Sequence, residues 1–126
     1  MKRFNTKKVP AAIGPYSQAT IVDGTIYCSG QIALIPETGE IFSGTIEEET
    51  RFVLNNIKTL LNEAGSSLDK VIKATLFIKN MDDFPKINTV YGEFFGESKP
   101  SRSTVEVSRL PKDVNIEIEI LAKLSS

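Results

Sequence analysis

From Asn115 to Leu124 the chain repeats with a period of two. Ile116, Ile118, Ile120, Ala122 and Leu124 fall on one side; Asn115, Glu117, Glu119, Leu121 and Lys123 fall on the other. A pleated strand is the element that sends alternate residues to opposite faces. A strand with one dry face needs partners at its edges and a layer over that face. This segment therefore predicts a sheet with something packed on it.

The covering layer can be read from two helical patterns. Thr45-Ile46-Glu47-Glu48 has the spacing of a capping box, and Glu47, Glu48 and Glu49 sit at the positive end of the helix dipole. Val53, Ile57, Leu60, Leu61 and Ala64 then share one helical face, and Gly65 is the expected stop. A second helix is expected to start near Asp82 or Asp83, with Pro85 in its first turn. Its core face is Ile87, Val90, Tyr91, Phe94 and Phe95.

The other strands are expected at Met1–Asn5, Gln18–Val22, Thr25–Gln31, Val71–Ile78 and Ser101–Val107, with Asp23-Gly24 as a hairpin turn. Pro10–Ser17 reads as loop and Ala33–Gly44 as a looser connection. The order is β-β-β-α-β-α-β-β: an α+β fold, residues 1–126 as a single domain, with both helices on one face of a single sheet. Pairing the last two strands as a hairpin around Leu110–Pro111 puts Thr104 near Glu117 and Arg102 near Glu119. Arginine and glutamates then share the uncovered face. On pattern alone, the favoured reading of that face is a solvated surface with weak cross-strand ion pairs.

Absences narrow the chemistry. The chain has no histidine, so serine–histidine and cysteine–histidine pairs and imidazole metal sites are out. Its one cysteine, Cys28, cannot form an internal disulfide. No apolar run approaches the ~20 residues of a membrane span. The first residues lack the apolar stretch of a signal peptide. These features fit a cytoplasmic protein. The net charge is −1 and the lysines and arginines are scattered, which argues against a nucleic-acid partner.

Pro100-Ser101-Arg102-Ser103-Thr104-Val105-Glu106-Val107-Ser108-Arg109-Leu110-Pro111, followed by Val114-Asn115-Ile116-Glu117-Ile118, resembles the signature of the RidA (YjgF) family. Ile13-Gly14-Pro15-Tyr16-Ser17-Gln18-Ala19 is similar to that family's N-terminal loop, and Tyr27-Cys28-Ser29-Gly30-Gln31 to its Ser-Gly-Gln strand. Asn88 and Tyr91 sit where its second helix carries them. The resemblance spans essentially the whole chain. It implies a chorismate-mutase-like fold and a homotrimer whose sheets face one another, so that the second sheet face is buried and the sites lie in clefts between subunits. It also implies an enamine/imine deaminase that turns 2-aminoacrylate-type intermediates (2-iminopropanoate, 2-iminobutanoate) into 2-keto acids and ammonia, with no metal and no cofactor.

The resemblance also implies residue roles. Arg102, a rigid two-pronged donor, would hold the substrate carboxylate rather than pair with Glu119 or Glu106. Glu117 would activate water; Glu119 has the same strand parity, and only the motif chooses between them. Tyr16 would close the pocket wall, Ser29 and Gly30 would bring hydroxyl and backbone groups to the substrate, and Asn88 would reach in from the second helix. Thr104 stands where many relatives carry cysteine, which excludes thiol chemistry there but leaves a hydrogen-bonding hydroxyl. The competing functions are an endoribonuclease or translation inhibitor, and a non-catalytic regulator or chaperone that binds small carboxylates.

Overall fold

The period-two segment forms a strand, Ile116–Lys123, that lies inside the sheet with a partner on each side. A computed structural model describes residues 1–125. In chain order the elements are β1 (Lys2–Phe4), β2 (Ala19–Val22), β3 (Thr25–Cys28), α1 (Ile46–Ala64), β4 (Val71–Ile78), α2 (Phe84–Phe95), β5 (Ser101–Glu106) and β6 (Ile116–Lys123). Short 3-10 turns occupy Leu68–Lys70, Met81–Asp83 and Pro111–Asp113. The six strands make one mixed sheet in the order β1-β2-β3-β6-β4-β5. This is the α+β arrangement the sequence predicts, with both helices over one face of a single sheet.

The helix signals act as expected. Thr45 Oγ1 accepts from Glu48 N (3.1 Å), and Thr45 N donates back to Glu48 Oε1 (2.9 Å). Gly65 closes α1 in the left-handed region at φ 93°. Val53, Ile57, Leu60 and Leu61 from α1 and Ile87, Val90 and Phe95 from α2 are buried against Ile116, Ile118 and Ile120 of β6. Phe94 is only partly buried. Cys28 lies in this core, where burial pushes its thiol pKa up to about 12, so it packs as a small apolar group. No helix among the described residues is long and apolar enough to cross a membrane.

The expected hairpin between the last two strands does not form. β5 pairs in parallel with β4, while β6 pairs antiparallel with both β4 and β3. The physical reason is the strand–helix–strand run β4-α2-β5: a helix crossover returns the chain parallel to its starting strand. β5 takes one edge of β4, and β6 takes the other. The faces change accordingly. Leu76 opposes both Thr104 and Ile118, and Ala74 opposes Arg102, so Arg102 and Thr104 point to the helix side. Phe77 opposes both Glu117 and Val105, so Glu117 points to the open side. Arg102 and Glu117 do not share a face within one chain.

Candidate functional site

Glu117 stands in a central strand beneath a local break in β3. β3 ends at Cys28, and the chain rejoins β6 at Gln31, where Gln31 N donates to Ile118 O (2.8 Å) and Ile118 N donates to Gln31 O (3.0 Å). Ser29 and Gly30 pass over Glu117 between these two anchors. The Glu117 carboxyl occupies the place a side chain at Gly30 would take. A β-carbon there would overlap Glu117 Oε2 and lie 2.8 Å from Cδ. Gly30 lets the backbone and the Glu117 carboxyl pack this closely; a β-carbon there would push the carboxyl aside.

Among the described residues, Glu117 has no hydrogen-bond or ion-pair partner. Burial raises its pKa above the ordinary carboxylate range, and the neighbouring charge of Glu119 adds to that rise. Its carboxyl forms part of a cavity of about 460 Å³ lined also by Ile13, Tyr16, Ser29, Gly30 and Pro111. Such a volume is of the size that holds small ligands. Tyr16, half exposed, follows Gly14, whose φ of 121° is open to glycine but strained for other residues, and Pro15; its N–H donates to Gly14 O (2.9 Å). Ser29 Oγ donates to Ser17 O (2.6 Å), so this hydroxyl offers a ligand its lone pairs and not its proton.

The strand entering this site is anchored from α1. The buried Glu49 carboxylate accepts from Asn115 N (2.9 Å) and Asn115 Nδ2 (2.7 Å), two residues before Glu117. Lys112 also lines the cavity. Lys112 and Asp113 hold left-handed conformations in the loop before β6, with Asp113 paired to Lys79 at 2.8 Å.

Arg102 is arranged on the other side of the sheet. Phe84, Asn88 and Tyr91 are spaced four and three residues apart, one stripe of α2. Arg102 Cζ lies 5.2 Å from the Phe84 ring centroid and 4.8 Å from that of Tyr91. Its Nη1 donates to Asn88 Oδ1 (2.7 Å). The stripe thus grips the guanidinium by two ring faces and one amide oxygen. No carboxylate among the described residues pairs with it; Glu106, one candidate partner, instead accepts from Met81 N (2.8 Å). Thr104 Oγ1, two residues along β5, and the Tyr91 OH on α2 are buried without hydrogen-bond partners, and burial raises the Tyr91 pKa.

The expected site residues therefore fall into two groups. Tyr16, Ser29, Gly30 and Glu117 line one cavity. Asn88, Arg102 and Thr104 gather on the helix side of β5. Asn88 engages the arginine through its Oδ1. Phe84 and Gln18 are additions the sequence reading missed. Helical spacing around Asn88 was the signal for Phe84; Gln18, which lines the Glu117 cavity, lay inside the Ile13–Ala19 motif but was given no role there.

The family model described as Endoribonuclease L-PSP matches residues 6–124. A RutC family protein of Pyrococcus abyssi is 57% identical over 117 residues, covering 93% of this chain and 92% of its own. The 2-iminobutanoate/2-iminopropanoate deaminase of Bos taurus is 44% identical over 121 residues, covering 96% of this chain and 88% of its own. Among solved structures, E. coli TdcF with bound serine superposes with a TM-score of 0.92 at 43% identity, covering 99% of this chain and 100% of its own. A family match over nearly the full length, relatives at 44% and 57% identity and a shared fold agree with the motifs around Arg102 and Glu117: the chain belongs to the endoribonuclease L-PSP family, the family of RidA, YjgF and RutC proteins.

Proposed function

We propose that this protein hydrolyses 2-imino acids of the 2-iminopropanoate and 2-iminobutanoate type, the tautomers of enamines such as 2-aminoacrylate, to 2-keto acids and ammonia. The observation that carries this reading is Glu117: a half-buried carboxyl with a raised pKa and no partner, in the wall of a cavity and packed against the Gly30 backbone. A carboxylate desolvated in this way is a stronger base than one in water. It takes a proton from water as the oxygen bonds to the imine carbon. The imine nitrogen is protonated, the carbon–nitrogen bond of the resulting carbinolamine breaks, and ammonia leaves as the carbonyl forms. One water is consumed, and the steps call on no other reactant.

Arg102 supplies the carboxylate anchor. Its guanidinium is oriented by Asn88, Phe84 and Tyr91 and is free of any acidic partner among the described residues. Thr104 Oγ1, unpartnered, offers a further hydrogen bond on that side. Since Arg102 and Glu117 lie on opposite sheet faces, a site using both is assembled from two copies of the chain. The open face supports such assembly, with Tyr27 and Val105 both exposed beside half-buried Phe77 and Leu121. We propose a homotrimer with one such cleft at each interface. The deaminase name of the Bos taurus relative and the amino acid bound in TdcF support the same ligand chemistry.

The test couples the protein to an amino-acid oxidase that releases the imine and measures the imine left to trap. The parent should remove imine, and Glu117→Gln should not, while still binding pyruvate in calorimetric titration. Pyruvate binding without imine removal by the parent would instead identify a carboxylate-binding module.

A further inference from the structure

Between Thr6 and Ser17 the chain leaves the sheet and builds the outer wall of the Glu117 cavity. One buried side chain braces that wall from within, while Thr6 Oγ1 (3.3 Å) and Lys8 Nζ (3.2 Å) tie its start to Glu63 of α1. Gln18 is 2% exposed. Its Nε2 donates to Thr6 O (3.0 Å) and Pro10 O (2.8 Å), and its Oε1 accepts from Thr6 N (2.7 Å). Its backbone faces the rest of the site: N donates to Asn5 Oδ1 (3.0 Å), and O accepts from Ser29 N (2.9 Å). Gln18 thus joins the wall to the Ser29-Gly30 segment over Glu117, beside the bond from Ser29 Oγ to Ser17 O.

The rest of the wall has little else to fix it. Val9 is packed into the core. Beyond Pro10, the one main-chain hydrogen bond within Ala11–Tyr16 among the described residues is local, from Tyr16 N to Gly14 O. Ile13 and Tyr16, which face the cavity, are therefore placed by the ends of the segment at Pro10 and Ser17. We infer that Gln18 is a positioning residue that sets the width of the Glu117 cavity, and with it the room for the side chain of a bound imino acid. This inference rests on the deaminase reading for its substrate and on the hydrogen bonds alone for its geometry.

The chemistry of the residue explains why an amide is needed. Two donors and an acceptor must act from one flat group, which among neutral side chains only glutamine and asparagine offer, and asparagine is one methylene shorter. Methionine in its place would leave Thr6 N, Thr6 O and Pro10 O without partners in a buried spot. Those groups then reach water only if the wall moves outward. Gln18 has no contact with the reacting atoms, so its loss acts on fit and not on the chemical step.

The experiment compares the parent with Gln18→Met and Gln18→Glu; the latter keeps the acceptor for Thr6 N but loses both donors when ionised. Imines are generated from alanine, 2-aminobutyrate and leucine, and backbone hydrogen exchange is followed on the same proteins. Expected are faster exchange confined to Thr6–Tyr16, KM for the alanine-derived imine raised about tenfold, and kcat within about twofold of the parent. The preference should also shift toward the leucine-derived imine. Unchanged exchange in the wall with unchanged size preference overturns the inference. So does faster exchange in β6 with kcat falling alongside, which is general loss of the fold. If Gln18→Met does not fold, Gln18→Glu carries the test. A parent that removes no imine refutes the deaminase reading alone, because exchange at Thr6–Tyr16 and pyruvate titration still judge Gln18.

Discussion

Glu117 and Arg102 are prepared in opposite ways. Glu117 is defined by what is missing around it: no side chain at Gly30, no hydrogen-bond partner, reduced access to water. Arg102 is defined by its contacts: two aromatic faces and the Asn88 amide, all from one stripe of α2. The difference matches the role proposed for each group. A base gains proton affinity when solvation is withdrawn from its charged form. A carboxylate anchor gains from holding a fixed planar geometry while staying charged. The acid site is assembled from loops over a central strand, whereas the arginine site sits on an edge strand backed by a helix.

The largest effect should come from removing the base. Glu117→Gln keeps the shape, so imine hydrolysis should fall ~10²-fold or more while pyruvate still binds. The same variant should be more stable at neutral pH. The folded pKa of Glu117 is raised, so the fold is penalised once pH climbs through that value and the carboxyl ionises. Below the ordinary glutamate range the carboxyl is neutral in both states, and the two proteins should unfold alike. Thermal melts at the two pH extremes read this directly; a parent more stable than the variant at neutral pH would mean that Glu117 has a stabilising partner.

Arg102→Ala should weaken carboxylate binding by about tenfold to a few hundredfold, the range of a charged hydrogen bond. Arg102→Lys should recover only part, because an ammonium cannot reproduce the planar grip between Phe84 and Tyr91. The two defects also test where the site is. If Arg102 and Glu117 act across an interface, mixing equal amounts of Arg102→Ala and Glu117→Gln under subunit exchange restores about a quarter of the sites. No recovery despite exchange, or a stable monomer by sedimentation at micromolar concentration, would sink the composite site.

The two regions also differed in how readable they were. α1 is written locally: Thr45 and Glu48 cap it, a 3.6-residue period faces the core, and Gly65 ends it. β6 is equally plain, because a strict period of two over a buried face leaves one register. β5 misled because edge strands carry a weak pattern; every residue of it except Thr104 is exposed. Adjacency in sequence suggested a hairpin with β6, which put Arg102 and Thr104 on the uncovered face. The correcting signal was the β4-α2-β5 run, which calls for a parallel pair, and an apolar β4 fit to take partners on both edges. Gly30 was singled out for bringing its backbone to a substrate, but its packing against the Glu117 carboxyl could not be read, since it depends on two segments far apart in the chain.

The smallest expected effect concerns Glu119, which shares strand parity with Glu117 and is the natural control. Glu119→Gln should leave turnover at the pH optimum close to the parent. Its charge nonetheless contributes to the raised pKa of Glu117, second to burial. A general base works only when deprotonated, so activity should rise with pH through the Glu117 pKa. Removing the Glu119 charge takes away one of the two causes of that rise and leaves the other. The ascending limb of the pH–rate profile should therefore move to lower pH without reaching the position of an ordinary glutamate. Rate profiles of kcat/KM for parent and variant decide it. An unmoved limb would mean that the limb reports some other group, and a profile shifted to higher pH would contradict the electrostatics outright. If instead Glu119→Gln loses activity as deeply as Glu117→Gln, the base has been assigned to the wrong glutamate of the pair.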